Sequence, residues 1–205
     1  MDATTRFDLD TAVTRRAEGL YDAHVSDRWW IVRGPNGGYL AALLAHAIED
    51  TAGDPTCPLR SITIHYLRPP VDGPATIETT LERSGRTVKS VTARMMQGGK
   101  LQALAIAAHA SPREVGGFEH ARMPEVLPPE RCPERRPQDS LAIHEHFEMR
   151  TAIGPATRDA ERIEAAMTGG WIRFVEPAPW TPARISLVAD AWPPAVFSAR
   201  ATPPT

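Results

Sequence analysis

The chain has 205 residues, a formal net charge of −2 and 42% hydrophobic residues, which suits one large domain or two small ones. The near-neutral balance, with no basic block, excludes the electrostatic footprint of a nucleic-acid partner, and no apolar run approaches the ~18 residues of a transmembrane helix. The first residues, MDATTRFDLD, are unlike a secretion signal, and Cys57 and Cys132 have neither metal-site spacing nor a disulfide framework; a cytoplasmic protein is expected.

Residues 12–33 mix short apolar and polar steps and predict two short strands or a hairpin, ending in Trp29, Trp30 and Ile31. The Trp29-Trp30 pair is expected in a core or an interface. GPNGG then punctuates the chain. A helix is predicted over 38–50: Leu40, Leu43, Leu44, Ala47 and Ile48 follow helical spacing. Ala41, Ala42, Ala45 and His46 fill the other face, so this helix should be surrounded by protein. Alternating strands follow at 60–67, 75–83, 87–97 and 101–110, with hairpin turns at Ser84-Gly85-Arg86 and Gln97-Gly98-Gly99-Lys100. Such strands need an apolar element to cover one face. The helix at 38–50 supplies it, which predicts an α+β hotdog: an antiparallel sheet wrapped round a central helix.

Residues 111–140 hold six prolines among many charges, from Pro112 to Pro137, and read as a linker. The earlier order then begins again. Strands are predicted at 140–154 and 169–177, and a helix over 180–192 with Thr181 as N-cap and Pro182 at its first position. The predicted organisation is a hotdog module at 7–110, the linker at 111–140 and a partial second module at 141–205.

Three motifs in order, GPNGGYLAALL, ITIHYLRPP and LERSGRTVKSVTARMMQGGK, resemble the N-terminal half of the acyl-CoA thioesterase II family, over roughly residues 7–110. The resemblance implies a double hotdog in one chain that hydrolyses acyl-CoA to free fatty acid and CoA. It implies no metal and no organic cofactor. The family's catalytic aspartate lies on the second module's helix, before a proline-containing apolar stretch. SLVADAWPPAVF (186–197) resembles that segment and places the aspartate at Asp190. The family also uses a Ser or Thr and a Gln from later strands to hold the attacking water. Neither can be carried onto this chain; Thr202 and Thr205 only lie near where such a strand would begin. Far fewer residues follow Thr181 than complete the first module after Gly37, so the second module is expected to be incomplete, through natural shortening or because the sequence is a fragment.

Each candidate has a structural alternative. Gly37-Gly38, with Asn36 as cap, either turns the backbone into a buried helix or offers helix N–H groups to an oxyanion, which makes Asn36, Gly37 and Gly38 the expected substrate-binding residues. Asp190, among apolar neighbours near its own helix C-terminus, is expected to have a raised pKa suited to a general base; the alternative is an exposed helix-end aspartate. His144 and His146 should share one strand face without a third metal ligand. Arg68 is expected to anchor a turn rather than bind phosphate.

The expected partner is acyl-CoA, and the exposed edges of a partial module predict homo-oligomers. Two rival functions are a truncated, inactive hotdog protein that at most binds acyl-CoA, and a hotdog hydratase, which needs an Asp/His pair near Asp190.

Overall fold

The computed structural model describes residues 4–114, 116–117, 119–135, 141–155 and 166–199. They form two compact units: Met1–Val115 with Ala178–Asp190, and Gly116–Pro177 with Ala191–Thr205. The proposed linker therefore contributes to the second unit, and the last helix belongs to the first.

The first unit opens with helix α1 (Arg6–Asp10), capped by a reciprocal Thr5/Asp8 box. Strands β1 (Val13–Ala17) and β2 (Leu20–Val25) are the hairpin expected over 12–33. Trp29 follows in a short 3-10 turn and is fully buried, as expected of a core residue. It stacks on Tyr39 with ring centroids 5.6 Å apart and donates its indole N–H to Asp10. Helix α2 (Gly37–Ala52) extends slightly beyond the predicted 38–50 and ends at Gly53.

Four strands complete the sheet: β3 (Leu59–Tyr66), β4 (Gly73–Ser84), β5 (Val88–Gln97) and β6 (Lys100–Ala110). The β5–β6 turn needs its glycines, because Gly98 and Gly99 have φ of 57° and 71°, the paired positive values of a type I′ hairpin. All neighbouring strands are antiparallel, in the order β1-β2-β4-β5-β6-β3.

The inward face of this sheet packs on α2. Its buried residues alternate along the strands: Ala75 and Ile77, then Val91, Ala93 and Met95, then Ala103, Ala105 and Ala107. Register places Ala93 opposite Ala105 and Val91 opposite Ala107. Ala41, Ala42, Ala45 and Ala47 are all buried on the helix, so its neighbours can approach it closely. Leu43, Leu44 and Ile48 are fully buried, each contributing about 2 kcal/mol by removal from water. Among the described residues no helix is long and apolar enough to cross a membrane.

Helix α3 (Pro182–Ala189) packs on α2. Thr181 caps it, accepting from Arg184 N, and Pro182 stands at the start, as the sequence predicts. It is shorter than the predicted 180–192, with Asp190 as its C-cap.

Arg184 ties α3 to α1. Its side chain is 2% exposed, donates to Thr5 Oγ1 at 2.7 Å and Asp8 Oδ1 at 2.8 Å, and lies 4.7 Å over the Phe7 ring. Burial pushes the Asp8 carboxyl up, but the Thr5 hydrogen bonds and the Arg184 guanidinium outweigh it and hold Asp8 below its ordinary value. A depressed carboxyl stabilises the fold above its unfolded pKa of about 3.9, and this contribution is lost as pH falls through the folded value. Arg184→Met keeps most of the packing and removes the charge. It should cost about 2 kcal/mol at pH 7, less than breaking a fully buried pair because Asp8 is partly solvated. Urea unfolding should show the difference from wild type narrowing as pH is lowered through the carboxyl range. A difference independent of pH would separate Arg184 from Asp8.

In the second unit, β7 (Phe147–Ile153) pairs antiparallel with β8 (Gly169–Phe174), and Phe147 meets Phe174 at 4.9 Å. The strand predicted over 140–154 is corrected in its first part: Ala142–His146 is a 3-10 turn. With three residues per turn, His144 and His146 do not share a face, and no metal-ligating cluster occurs among the described residues. The strand predicted over 169–177 ends at Phe174.

Candidate active site

Segments far apart in sequence meet at the start of α2. The turn before it is built by backbone: Ile31 N donates to Gly34 O, and Asn36 N donates to Trp29 O. Asn36 is therefore held buried, at 3% exposure, and acts as N-cap by accepting from Tyr39 N at 3.1 Å. Its amide group faces the other way. Nδ2 donates to the Asp190 carbonyl and to Asp190 Oδ2, both at 3.0 Å. Gly38 N donates to the same Oδ2 at 3.0 Å.

Asp190 thus receives two donors on one carboxylate oxygen, at the positive end of the α2 dipole. Its other oxygen, Oδ1, takes no hydrogen bond among the described residues. The sequence reading weighed Asp190 against its own helix end and its apolar neighbours. The structure corrects that setting: Asp190 is exposed, and its carboxylate rests on the opposite, favourable pole of a second helix.

The glycines have separate reasons. A Cβ on Gly38 would lie 2.7 Å from Leu187 O and 2.8 Å from Leu187 Cα, so the backbone of α3 occupies that space. A Cβ on Gly37 would lie 3.0 Å from Asp190 Oδ2 and 3.3 Å from the Tyr66 hydroxyl. Gly38 lets two helices touch, and Gly37 leaves room for the polar groups. The Gly38 N–H expected to face an oxyanion faces Asp190 here.

Tyr66 is the residue the sequence reading passed over as one member of an alternating strand. Its hydroxyl donates to Gly37 O at 2.6 Å. Burial, then the nearby Asp190 charge, pushes its pKa up to about 12, so it remains a donor. The available signal was that a half-buried tyrosine hydroxyl at a strand end needs a partner. Arg68 donates to Leu101 O at 2.9 Å, the turn-anchoring role expected of it. No histidine bonds to Asp190 among the described residues. Thr202 and Thr205 lie outside the described residues.

A single helix wrapped by an antiparallel sheet, with a second helix end delivering a carboxylate to its N-terminus, defines an α+β hotdog protein. Residues 26–113 match the family described as the acyl-CoA thioesterase N-terminal domain. No curated protein matches the chain in sequence.

Solved structures agree on the fold. A conserved protein of unknown function with hot dog fold from Alicyclobacillus acidocaldarius superposes with a TM-score of 0.87 and 25% identity, covering 98% of this chain and 74% of that one. A protein of Thermobifida fusca YX proposed to be a thioesterase II gives 0.81 and 24%, covering 97% and 76%. The acyl-CoA thioesterase II TesB2 of Mycobacterium marinum gives 0.69 and 18%, covering 90% and 68%.

Proposed function

We propose that this chain is an acyl-CoA thioesterase in which Asp190 activates the attacking water. The observation that carries the reading is the Asp190 carboxylate, anchored through Oδ2 with Oδ1 left to accept a proton. Water bound at Oδ1 gives up a proton as its oxygen attacks the thioester carbonyl. The C–S bond then breaks, the proton passes to the leaving thiolate, and free acid and CoA result. The carbonyl is placed beside the α2 start at Asn36, Gly37 and Gly38, where Asn36 and Gly38 act by holding Asp190 and the α2 N-terminus supplies positive potential to the developing oxyanion.

The test is thiol release from short- to long-chain acyl-CoAs by the purified chain. A folded protein that releases none would favour the rival reading of an inactive acyl-CoA binder. Such a binder agrees with the lack of any matched Ser/Thr and Gln among the described residues.

The same proposal reads residues 7–110 as a hotdog module, 111–140 as a linker and 141–205 as part of a second module. A cytoplasmic setting suits two buried, free cysteines. Self-association is proposed because β3 ends the sheet with an edge that no strand pairs among the described residues, and Trp180 and Ile185 are exposed. Sedimentation should give a mass above the 22.4 kDa monomer; a monomer at all concentrations would refute it.

A further inference from the structure

The Gly37 carbonyl and the Gly38 N–H belong to one peptide unit, and that unit is held at both ends. Tyr66 Oη donates to its oxygen at 2.6 Å, and its N–H donates to Asp190 Oδ2 at 3.0 Å. The peptide is planar, so fixing the carbonyl direction fixes the N–H direction. Both flanking residues are glycines in the first turn of α2, where a helix is least restrained and no side chain limits the backbone. A hydrogen bond to a carbonyl also polarises the N–H across the same amide and strengthens the bond that N–H makes.

We infer that Tyr66 is a positioning residue for Asp190, acting through the Gly37–Gly38 peptide to hold the carboxylate's anchored oxygen in place and its free oxygen toward substrate. Tyr66 stands at the end of β3, on the face that Ile62 and Ile64 direct toward the helix layer. The sheet therefore sets the carboxylate's position, although no side chain of the sheet bonds to Asp190 among the described residues. Asn36 gives the second anchor from its buried cap position. With the Tyr66 hydroxyl removed, the Gly38 N–H still reaches Asp190 Oδ2 but its peptide loses the sheet's hold, and Asn36 is the anchor left unaltered.

The catalytic part of this inference rests on the proposed thioesterase reading; the structural part does not. Tyr66→Phe keeps the ring and removes only the hydroxyl. The Gly38 amide resonance, recognised by its response to Asp190→Asn, should shift in Tyr66→Phe and exchange faster with solvent. Thiol release should fall about tenfold in kcat, the loss of one hydrogen bond's orientation, with KM within about twofold. Tyr66→Phe should add nothing in an Asp190→Asn background. An unchanged Gly38 resonance in Tyr66→Phe would overturn the proposal. A shifted resonance in a protein that releases no thiol would uphold the link and reject the thioesterase reading instead.

Discussion

Asp190→Asn should abolish most thiol release while leaving the fold intact. Asparagine is nearly the same shape, and its carbonyl oxygen can still accept from Gly38 N and Asn36 Nδ2, as Asp190 Oδ2 does at 3.0 Å. What changes is the other position. An amide NH₂ replaces Oδ1, so a donor stands where the water needs an acceptor. Loss of a positioned general base lowers rates by about 10²–10⁴-fold. Stability should fall by only about 0.3–1 kcal/mol, the worth of a carboxylate at a helix N-terminus. Thiol release and urea unfolding on the two proteins separate these effects. Equal rates would remove Asp190 from the mechanism. A collapse of stability would mean that the carboxylate serves α3 docking before chemistry.

Much of this arrangement was legible in the sequence where one local rule decided it. The all-apolar run from Leu40 to Ile48 required a surrounding sheet, and Thr181-Pro182 marked the start of α3. Asn36 was readable as a cap because its side chain and the Tyr39 N–H lie within one turn. What could not be read was contact between distant segments. Nothing local links Asn36 to Asp190, which pack through the α2–α3 crossing. Asp190 was therefore judged by its own helix and its sequence neighbours, and the second helix that changes its surroundings was missed. The turn at Ala142–His146 failed for a different reason. It runs straight into the strand that begins at Phe147, while the bonds His144 N→Leu141 O and Phe147 N→His144 O close short-range turns instead.

Gly37→Ala and Gly38→Ala should divide function from stability within one dipeptide. At position 38 the added methyl meets Leu187 O at 2.7 Å, Leu187 Cα at 2.8 Å and Ser186 O at 2.8 Å. These are backbone atoms of α3 and cannot rotate away, so α3 must move as a body. Overpacking of this kind costs about 1–3 kcal/mol. The better helix propensity of alanine offsets less than about 1 kcal/mol of it, since position 38 lies in the first turn. Gly38→Ala should therefore be less stable by about 1–2 kcal/mol, and Asp190 should leave its anchor with the displaced helix. At position 37 the methyl meets only side-chain atoms, Asp190 Oδ2 at 3.0 Å and the Tyr66 ring and hydroxyl at 3.2 and 3.3 Å. Those groups can yield by a few tenths of an ångström, so stability should stay within about 0.5 kcal/mol of wild type. The groups that yield are the carboxylate and the hydroxyl that positions it, and thiol release should fall about tenfold or more. Urea unfolding beside thiol release reads both. Gly38→Ala as stable as wild type would mean that α3 does not approach α2 this closely. Gly37→Ala at full rate would mean that Asp190 tolerates displacement, which a positioned general base does not.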